Sequence, residues 1–289
     1  MFDFFQTQVI LDRNTEGRIM SELVPKIEKI VENFFYENSA EHDWFHTLRV
    51  KTTAEALALE EYKVDIEIVS LASLLHDIAD EKHYSDPKEG IRNVTAILRS
   101  EDTSPHIIGH IVEIFNTMFF KGAGVPTPMK SIEGKIVQDA ERLDSLGAIG
   151  IARCFTEGAR QGRDLYDPEY IPQRHVSKEA FTNSKADSLN HFHEKLYYLK
   201  DNMNTLAGKR LAAKRYKFMK KFEQQFKSEW NGTDMQPILQ KIRAKSPWQD
   251  PYFLHFFALM SAALKDPIKF EKIKVDDFDL ADPENIKEK

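Results

Sequence analysis

The sequence predicts an all-α fold, a single helical bundle followed by a small helical extension. Three observations support this prediction: apolar residues recur at helical spacing along most of the 289 residues, no stretch alternates as a β-strand does, and no internal repeat is evident. With 42% hydrophobic residues the chain can bury a sizeable core. We place the bundle in residues 1–230 and the extension, with a frayed tail, in residues 231–289.

The first three helices are predicted from apolar spacing and capping. Residues 24–35 carry apolar side chains three and four apart, which predicts the first helix. Asp43 is expected to cap a second helix that carries His46 and Arg49. The third is the apolar run that begins at Ser70 and leads into His76, Asp77 and Asp80. We treat this third run as the centre of the molecule.

The later elements follow from prolines, glycines and returning periodicity. Asp86-Pro87 and Ser104-Pro105 each pair a capping residue with a proline, so helices are expected to begin near Pro87 and near Pro105. Glycines and prolines predict a loop over 121–130, and one or two helices follow it. Residues 157–188 lack a sustained period, as in a functional cover or a disordered segment. The helical pattern returns over 191–230.

Composition limits the classes of partner. A net charge of -6 argues against a general nucleic-acid-binding surface, so a small-molecule partner is expected. The single cysteine, Cys154, excludes an internal disulfide and a zinc site built on several thiolates. The N-terminus does not resemble a secretion signal, and the longest apolar run, 253–264, is too short to span a bilayer. We therefore expect a cytoplasmic protein with no membrane partner; a homodimer is compatible with the sequence.

A histidine and an aspartate within an apolar run are costly to bury unless their polarity is compensated. A metal ion would compensate it, and His46, His76, Asp77 and Asp139 are the candidate ligands. Two imidazoles and two carboxylates favour Mn, Fe, Ni, Co or Zn over Mg or Ca, and octahedral coordination would leave two positions open. On the residues alone, a hydrogen-bonded histidine-aspartate pair at a helix end remains the alternative.

Charged residues at helical spacing from these ligands indicate the substrate. Arg49 follows His46 by three residues, Asp80 follows His76 by four, and Lys135 and Arg142 flank Asp139. The cations would hold phosphate oxygens and offset their charge, while Asp80 would orient or deprotonate a water. The pattern predicts a site for a phosphate ester.

Three stretches resemble the HD-domain superfamily of metal-dependent phosphohydrolases, and most closely its bacterial nucleotide pyrophosphohydrolases. They are HDWFHTLRV (42–50), LHDIADEK (75–82) and EGKIVQDAERLDSLGAIG (133–150). The stretches 193–196 and 203–205 also resemble that branch, so the resemblance covers about residues 20 to 230. It makes residues 1–230 an HD-type domain.

The resemblance implies a metal-dependent enzyme that cleaves nucleoside triphosphates to monophosphate and pyrophosphate by attack at the α-phosphorus. Its metal ligands would fall on His46, His76, Asp77 and Asp139, with His42 outside the coordination sphere. Manganese is the first choice of ion, with nickel, iron, cobalt, zinc and magnesium as alternatives. Another HD-type phosphomonoesterase or phosphodiesterase, a nucleotide-sensing module without turnover and a helical scaffold with packed histidines remain alternatives.

Overall fold

The structure, a computed structural model, describes residues 22–37, 44–81 and 84–245. Within these residues all regular secondary structure is helical, which confirms the predicted all-α class. The α-helices of five or more residues are α1 Leu23–Glu37, α2 Trp44–Ala58, α3 Ile66–Ala79, α4 Glu89–Ser100, α5 Pro105–Met118, α6 Ile132–Asp144, α7 Gly147–Arg160, α8 Lys178–Thr182, α9 Leu206–Trp230 and α10 Gln236–Lys245. None of these described helices is long and apolar enough to cross a membrane.

Two compact units divide after Lys220, within α9. The first unit contains α1 to α8 and α9 as far as Lys220, and the second contains the end of α9 and α10. The boundary placed after residue 230 from the sequence stays a prediction. The described part of the extension is helical, and the predicted tail lies outside the described residues.

Helix α3 is the centre of the first unit. The Asp65 carboxylate caps it by accepting the N–H groups of Glu67 and Ile68, and every residue from Ile68 to Ala79 is buried. Helices α1, α2, α4, α5 and α6 all pack against it. A helix surrounded on all sides needs apolar side chains around its whole circumference, which explains the unbroken apolar run in the sequence. Its polar C-terminal end therefore lies inside the protein.

Helices α2 and α6 bring further polar residues toward α3, because α2 and α6 pack against α3 and against each other. Helix α6 begins where the Ser131 hydroxyl accepts the N–H of Gly134, and it ends at Asp144. Helix α2 begins at Trp44. Asp43, the predicted cap of α2, and His42 lie outside the described residues.

The two proline-based predictions of helix starts have different outcomes. Ser104 caps α5 by accepting the N–H of Ile107, and Pro105 is the first helical residue, as predicted. Helix α4 begins at Glu89, two residues after Pro87, near which its start was predicted. There the Asp86 carboxylate closes a turn ahead of the helix by accepting the N–H of Lys88.

The stretch predicted as a cover or a disordered segment is ordered in the structure. The end of α7 forms the start of this stretch, and α8 lies within it. Several of its other residues are hydrogen-bonded to Glu194, which lies on a π-helical turn, Phe192–Leu196. The Glu194 carboxylate is fully buried and accepts hydrogen bonds from Tyr170 Oη at 2.8 Å, from Gln173 N at 3.1 Å and from Ser184 Oγ. The His175 ring lies 2.9 Å away and also donates to it. One carboxylate thus fixes a long polar segment.

The Glu194→Gln variant is expected to release this segment. Burial raises the pKa of Glu194, but hydrogen bonds from Ser184, His175, Gln173 and Tyr170 outweigh burial and lower the pKa. A carboxylate whose pKa is lowered by folding contributes its full stability above the ordinary pKa of about 4.3 and loses it as the pH falls through the lowered value. At pH 7, proteolysis and hydrogen exchange in residues 161–190 should therefore be faster in the variant.

On acidification the wild type should approach the variant. Glu179→Gln changes an exposed glutamate on α8 in the same segment and serves as the matched control, with exchange like that of the wild type. Equal exchange in Glu194→Gln and wild type at pH 7 would show that Glu194 does not hold the segment.

Candidate metal centre

Helices α2, α3 and α6 bring three side-chain atoms to one point. His46 comes from the first turn of α2, His76 from the last turn of α3, and Glu141 from α6. The Nε2 atoms of His46 and His76 are 3.2 Å apart. Glu141 Oε2 lies 3.1 Å from Nε2 of His46 and 3.3 Å from Nε2 of His76. The three atoms form a nearly equilateral triangle.

Asp77 adds a second carboxylate to this triangle. Its Oδ2 lies 3.8 Å from His46 Nε2 and its Oδ1 lies 3.6 Å from His76 Nε2. His46, His76 and Asp77 form the one group of potential metal-binding side chains found among the described residues by mutual distance. Around an ion with bonds of about 2.1 Å, adjacent octahedral ligands lie about 3 Å apart and opposite ones about 4.2 Å apart. The observed separations fit this range.

The other nitrogen of each histidine ring fixes the orientation of the ring. His46 Nδ1 donates a hydrogen bond to Asp144 Oδ2, and His76 Nδ1 donates one to the carbonyl oxygen of Ser73, both at 2.7 Å. A carboxylate and a carbonyl can only accept, so both Nδ1 atoms carry a proton. Both Nε2 atoms therefore face the centre, as in histidines that bind metals.

The centre attracts positive charge. Burial lowers the pKa of His46, but Glu141, Asp144 and Asp77 outweigh burial and raise the pKa to about 9. The pKa of His76 is also raised, by Asp77 and Glu141 against the effect of burial. Burial raises the pKa of Glu141, but the two histidines lower it well below its usual range. Glu141 Oε2 is one of the buried side-chain atoms that have no hydrogen-bond partner within the described residues. A divalent cation fits this donor set and would displace protons on binding.

Comparisons with known proteins assign the family. The family model described as HD domain matches residues 44–146, which span α2 to α6 and all four of these side chains. The uncharacterized protein YpgQ of Bacillus subtilis is 34% identical over 211 residues, which are 72% of this chain and 94% of YpgQ. The chain belongs to the HD-domain family.

Solved structures support the same assignment. An HD-superfamily hydrolase from Bacillus thuringiensis is 38% identical with a TM-score of 0.58, over 73% of this chain and 97% of that chain. YpgQ of Bacillus subtilis in complex with ADP is 30% identical with a TM-score of 0.56, over 71% of this chain and 94% of that one. These HD-domain relatives support the general prediction of a metal-dependent phosphohydrolase.

Asp139 is the one predicted ligand that the structure of this HD domain does not bring to the centre. Its fully buried carboxylate accepts the backbone N–H groups of Asn204 and Thr205, each at 2.8 Å, and the side chains of both residues also donate to it. Asp139 therefore binds the chain just ahead of α9. Two residues on a helix point about 200° apart, so Asp139 and Glu141 cannot face the same point.

The structure does not bring the predicted phosphate-binding cations Arg142 and Lys135 to the centre either. Arg142 Nη2 donates to Thr127 Oγ1 at 2.8 Å and its Nη1 donates to the carbonyl oxygen of Asn202, so Arg142 joins two loops. Lys135 lines a cleft with Glu60 and other residues. Glu60 follows the far end of α2 from His46, about 20 Å along the helix. Neither cation lies at the HD-domain centre.

Of the remaining two predicted residues, Arg49 contacts the carboxylate that binds His46, and Asp80 is the C-cap residue that ends α3. Arg49 Nε donates to Asp144 Oδ1 at 2.8 Å and its Nη2 donates to Oδ2 at 3.1 Å. Arg49 therefore binds both oxygens of the carboxylate that accepts a hydrogen bond from His46. Asp80 directly follows the end of α3, is 8% exposed, and donates its N–H to the carbonyl oxygen of Asp77. It is thus a buried residue three positions after Asp77 in the sequence.

The sequence analysis missed Glu141, Asp144 and Arg153. Glu141 and Asp144 are three apart and share a face of α6, a spacing visible in the sequence. Arg153 Nη1 donates to Asp144 Oδ2 at 2.7 Å from the following helix. The spacing shows which acids share a face, but only the packing of α6 against α2 shows which face meets His46.

Proposed function

We propose that this protein is a metal-dependent pyrophosphohydrolase that cleaves nucleoside triphosphates to nucleoside monophosphate and pyrophosphate. The observation that carries the proposal is the convergence of His46 Nε2 and His76 Nε2 with the carboxylates of Asp77 and Glu141. The ADP complex of the relative YpgQ supports a nucleotide as the substrate class.

His46, His76, Asp77 and Glu141 would hold the ion in this proposal, with Glu141 in the place predicted for Asp139. Two nitrogen and two carboxylate ligands suit manganese first, with nickel, iron, cobalt, zinc and magnesium as alternatives. A divalent ion held here supplies a water of lowered pKa and a positive charge for a phosphate oxygen. With four protein ligands, an ion that takes six ligands would keep room for both.

The protein's own residues then position the reaction. Hydrogen bonds to Asp144 and Ser73 hold the two imidazoles in place, so the centre is set before substrate arrives. Asp80, a buried carboxylate three residues after Asp77 in the sequence, would orient the attacking water and take its proton. Attack at the α-phosphorus breaks the bond to the bridging oxygen, and pyrophosphate leaves with that oxygen.

The test begins with elemental analysis of the purified protein. The protein is then loaded with Mn²⁺ and incubated with a panel of nucleoside triphosphates, and its products are separated by anion-exchange chromatography. We expect monophosphate and pyrophosphate in equal amounts, and no product from Asp77→Ala, which lacks a proposed ligand. Orthophosphate alone would contradict a pyrophosphohydrolase and favour a phosphomonoesterase. Tight nucleotide binding without turnover would favour the sensing module.

A further inference from the structure

The Asp144 carboxylate, at the end of α6, accepts hydrogen bonds from side chains of two other helices. Its Oδ2 accepts from His46 Nδ1 and from Arg153 Nη1, each at 2.7 Å. Arg49 Nη2 donates to the same oxygen at 3.1 Å, and Arg49 Nε donates to Oδ1 at 2.8 Å. Only 7% of the Asp144 side chain is exposed, so the protein largely shields it from water. One carboxylate thus connects His46 on α2 with Arg153 on α7.

The chain after α6 turns back so that Arg153 reaches this carboxylate. Gly147, the first residue of α7, has a φ of 79°, which a residue with a side chain rarely adopts. A Cβ atom added to Gly150 would lie 2.3 Å from the backbone C and O atoms of Ser145, so only glycine lets α7 pack this closely against the end of α6. Arg153 lies one helical turn beyond Gly150 and nine residues after Asp144. Both glycines therefore make the contact between Arg153 and Asp144 possible.

The contact between Arg153 and Asp144 is placed to act on His46. Hydrogen bonds from a guanidinium to a carboxylate are short and about twice as strong as neutral ones. Because Arg153 and His46 donate to the same oxygen, Arg153 fixes the position of the atom that orients the imidazole ring. Arg49 follows His46 by three residues on α2, so these two side chains shift together. Of the three donors to Oδ2, Arg153 is the one that holds this oxygen independently of α2.

We infer that Arg153 is a positioning residue that holds Asp144 Oδ2 against His46 Nδ1 and so keeps His46 Nε2 directed at the metal centre. The inference rests on the proposed function and deepens it, because it names a residue that sets how tightly the proposed ligands hold the ion. Outer partners of a metal-binding histidine typically change metal affinity by about 10- to 100-fold. Arg153 acts one contact further out, and Arg49 still binds Asp144 without it, so the lower end of that range applies.

The first measurement is metal binding without a nucleotide, so that it does not depend on turnover. Wild type and variants are titrated calorimetrically with Mn²⁺ at neutral pH. Arg153→Gln, which removes the charged donor to Asp144 Oδ2, is expected to bind Mn²⁺ about 10-fold more weakly than the wild type. Arg153→Lys keeps a charged donor without the planar guanidinium, so its affinity should lie between the two. Lysine that restores no affinity over glutamine would contradict the inference.

The second measurement shows whether the effect passes through Asp144. The histidine rings of the metal-free protein are isotopically labelled for NMR, and the His46 Nδ1–H resonance is identified by its absence from His46→Gln. In the wild type this proton is buried and bonded to Asp144, so its resonance should be visible. In Arg153→Gln it should be lost through faster exchange with water. The Nδ1–H resonance of His76, which is bonded to Ser73, should persist in that variant.

The matched control is Arg160→Gln. Arg160 lies on the same helix, is exposed, and faces Glu157 at 4.0 Å, so its loss should change neither Mn²⁺ affinity nor the His46 resonance. Wild-type Mn²⁺ affinity or a wild-type His46 resonance in Arg153→Gln would overturn the inference. Loss of the His46 and His76 resonances together would overturn it too, because it would show a general loosening of the fold.

These outcomes are separable from failure of the proposed function. If Arg153→Gln loses Mn²⁺ affinity and the His46 resonance while the wild type releases no pyrophosphate from any triphosphate, the positioning role stands and the pyrophosphohydrolase proposal fails. If Arg153→Gln does not fold by circular dichroism, Arg153→Met, which keeps the aliphatic stem, replaces it in both measurements. Failure of both variants to fold would show that Arg153 supports the fold as a whole and would overturn the inference.

Discussion

Glu141→Gln is expected to weaken Mn²⁺ binding by more than about 100-fold and to reduce nucleotide turnover to background. Losing a residue that only orients a ligand typically costs 10- to 100-fold, and loss of a charged ligand should cost more. The amide keeps the size of the side chain but removes the charge that faces His46 and His76 at 3.1 and 3.3 Å. Metal content after dialysis and isothermal titration with Mn²⁺ measure the effect.

Glu113→Gln is the matched control for this variant, since Glu113 is an exposed glutamate on α5 whose partner is Lys130 on the surface. It should bind Mn²⁺ as the wild type does. Circular dichroism should show that Glu141→Gln keeps its helices, because about a quarter of its side chain, 28%, is exposed and the substitution preserves shape. Wild-type metal content in Glu141→Gln would exclude Glu141 as a ligand.

Asp139→Asn is expected to lower the free energy of unfolding by about 3 kcal/mol while the folded protein still binds Mn²⁺. The Asp139 carboxylate accepts the backbone N–H groups of Asn204 and Thr205 through both oxygens. An asparagine would present an NH₂ group to one of these donors and leave it buried without a partner. Urea unfolding, with metal content measured per folded molecule, separates the two quantities.

The outcome for Asp139 decides between two ligand sets. Loss of Mn²⁺ with unchanged stability would restore the set predicted from the sequence, in which Asp139 is a ligand. Loss of stability with retained Mn²⁺ would support the set proposed from the structure. Asp201→Asn, an exposed aspartate close to the same turn, is the control and should change neither quantity.

Helix α6 explains why these two substitutions should differ so strongly. One of its faces presents Glu141 to the histidines and Asp144 to His46 Nδ1, while the opposite face presents Asp139 to the start of α9. The same helix therefore builds the proposed metal centre and fixes the beginning of the longest helix described. A change on one face tests chemistry, and a change on the other tests stability.

Much of the fold could be predicted because it depends on local rules. Helical spacing of apolar residues gives the all-α class, and the unbroken apolar run around His76 and Asp77 gives α3 as the buried centre. The start of α5 at Ser104 and Pro105 follows from capping chemistry alone. Residues 157–188 could not be predicted in this way, because distant Glu194 holds them through side-chain hydrogen bonds.

The sequence by itself determined that His46, His76 and Asp77 are candidate ligands, since polar groups in apolar helices need compensation and the motif resemblance names them. Only the tertiary structure showed that Glu141, and not Asp139, lies beside the two histidines. Both lie on α6 in the same acidic run, and helical periodicity says only that they point apart. Which of them meets the histidines depends on the rotation of α6 against α2 and α3. The packing of three helices that are distant in sequence sets that rotation, and no local sequence pattern specifies it.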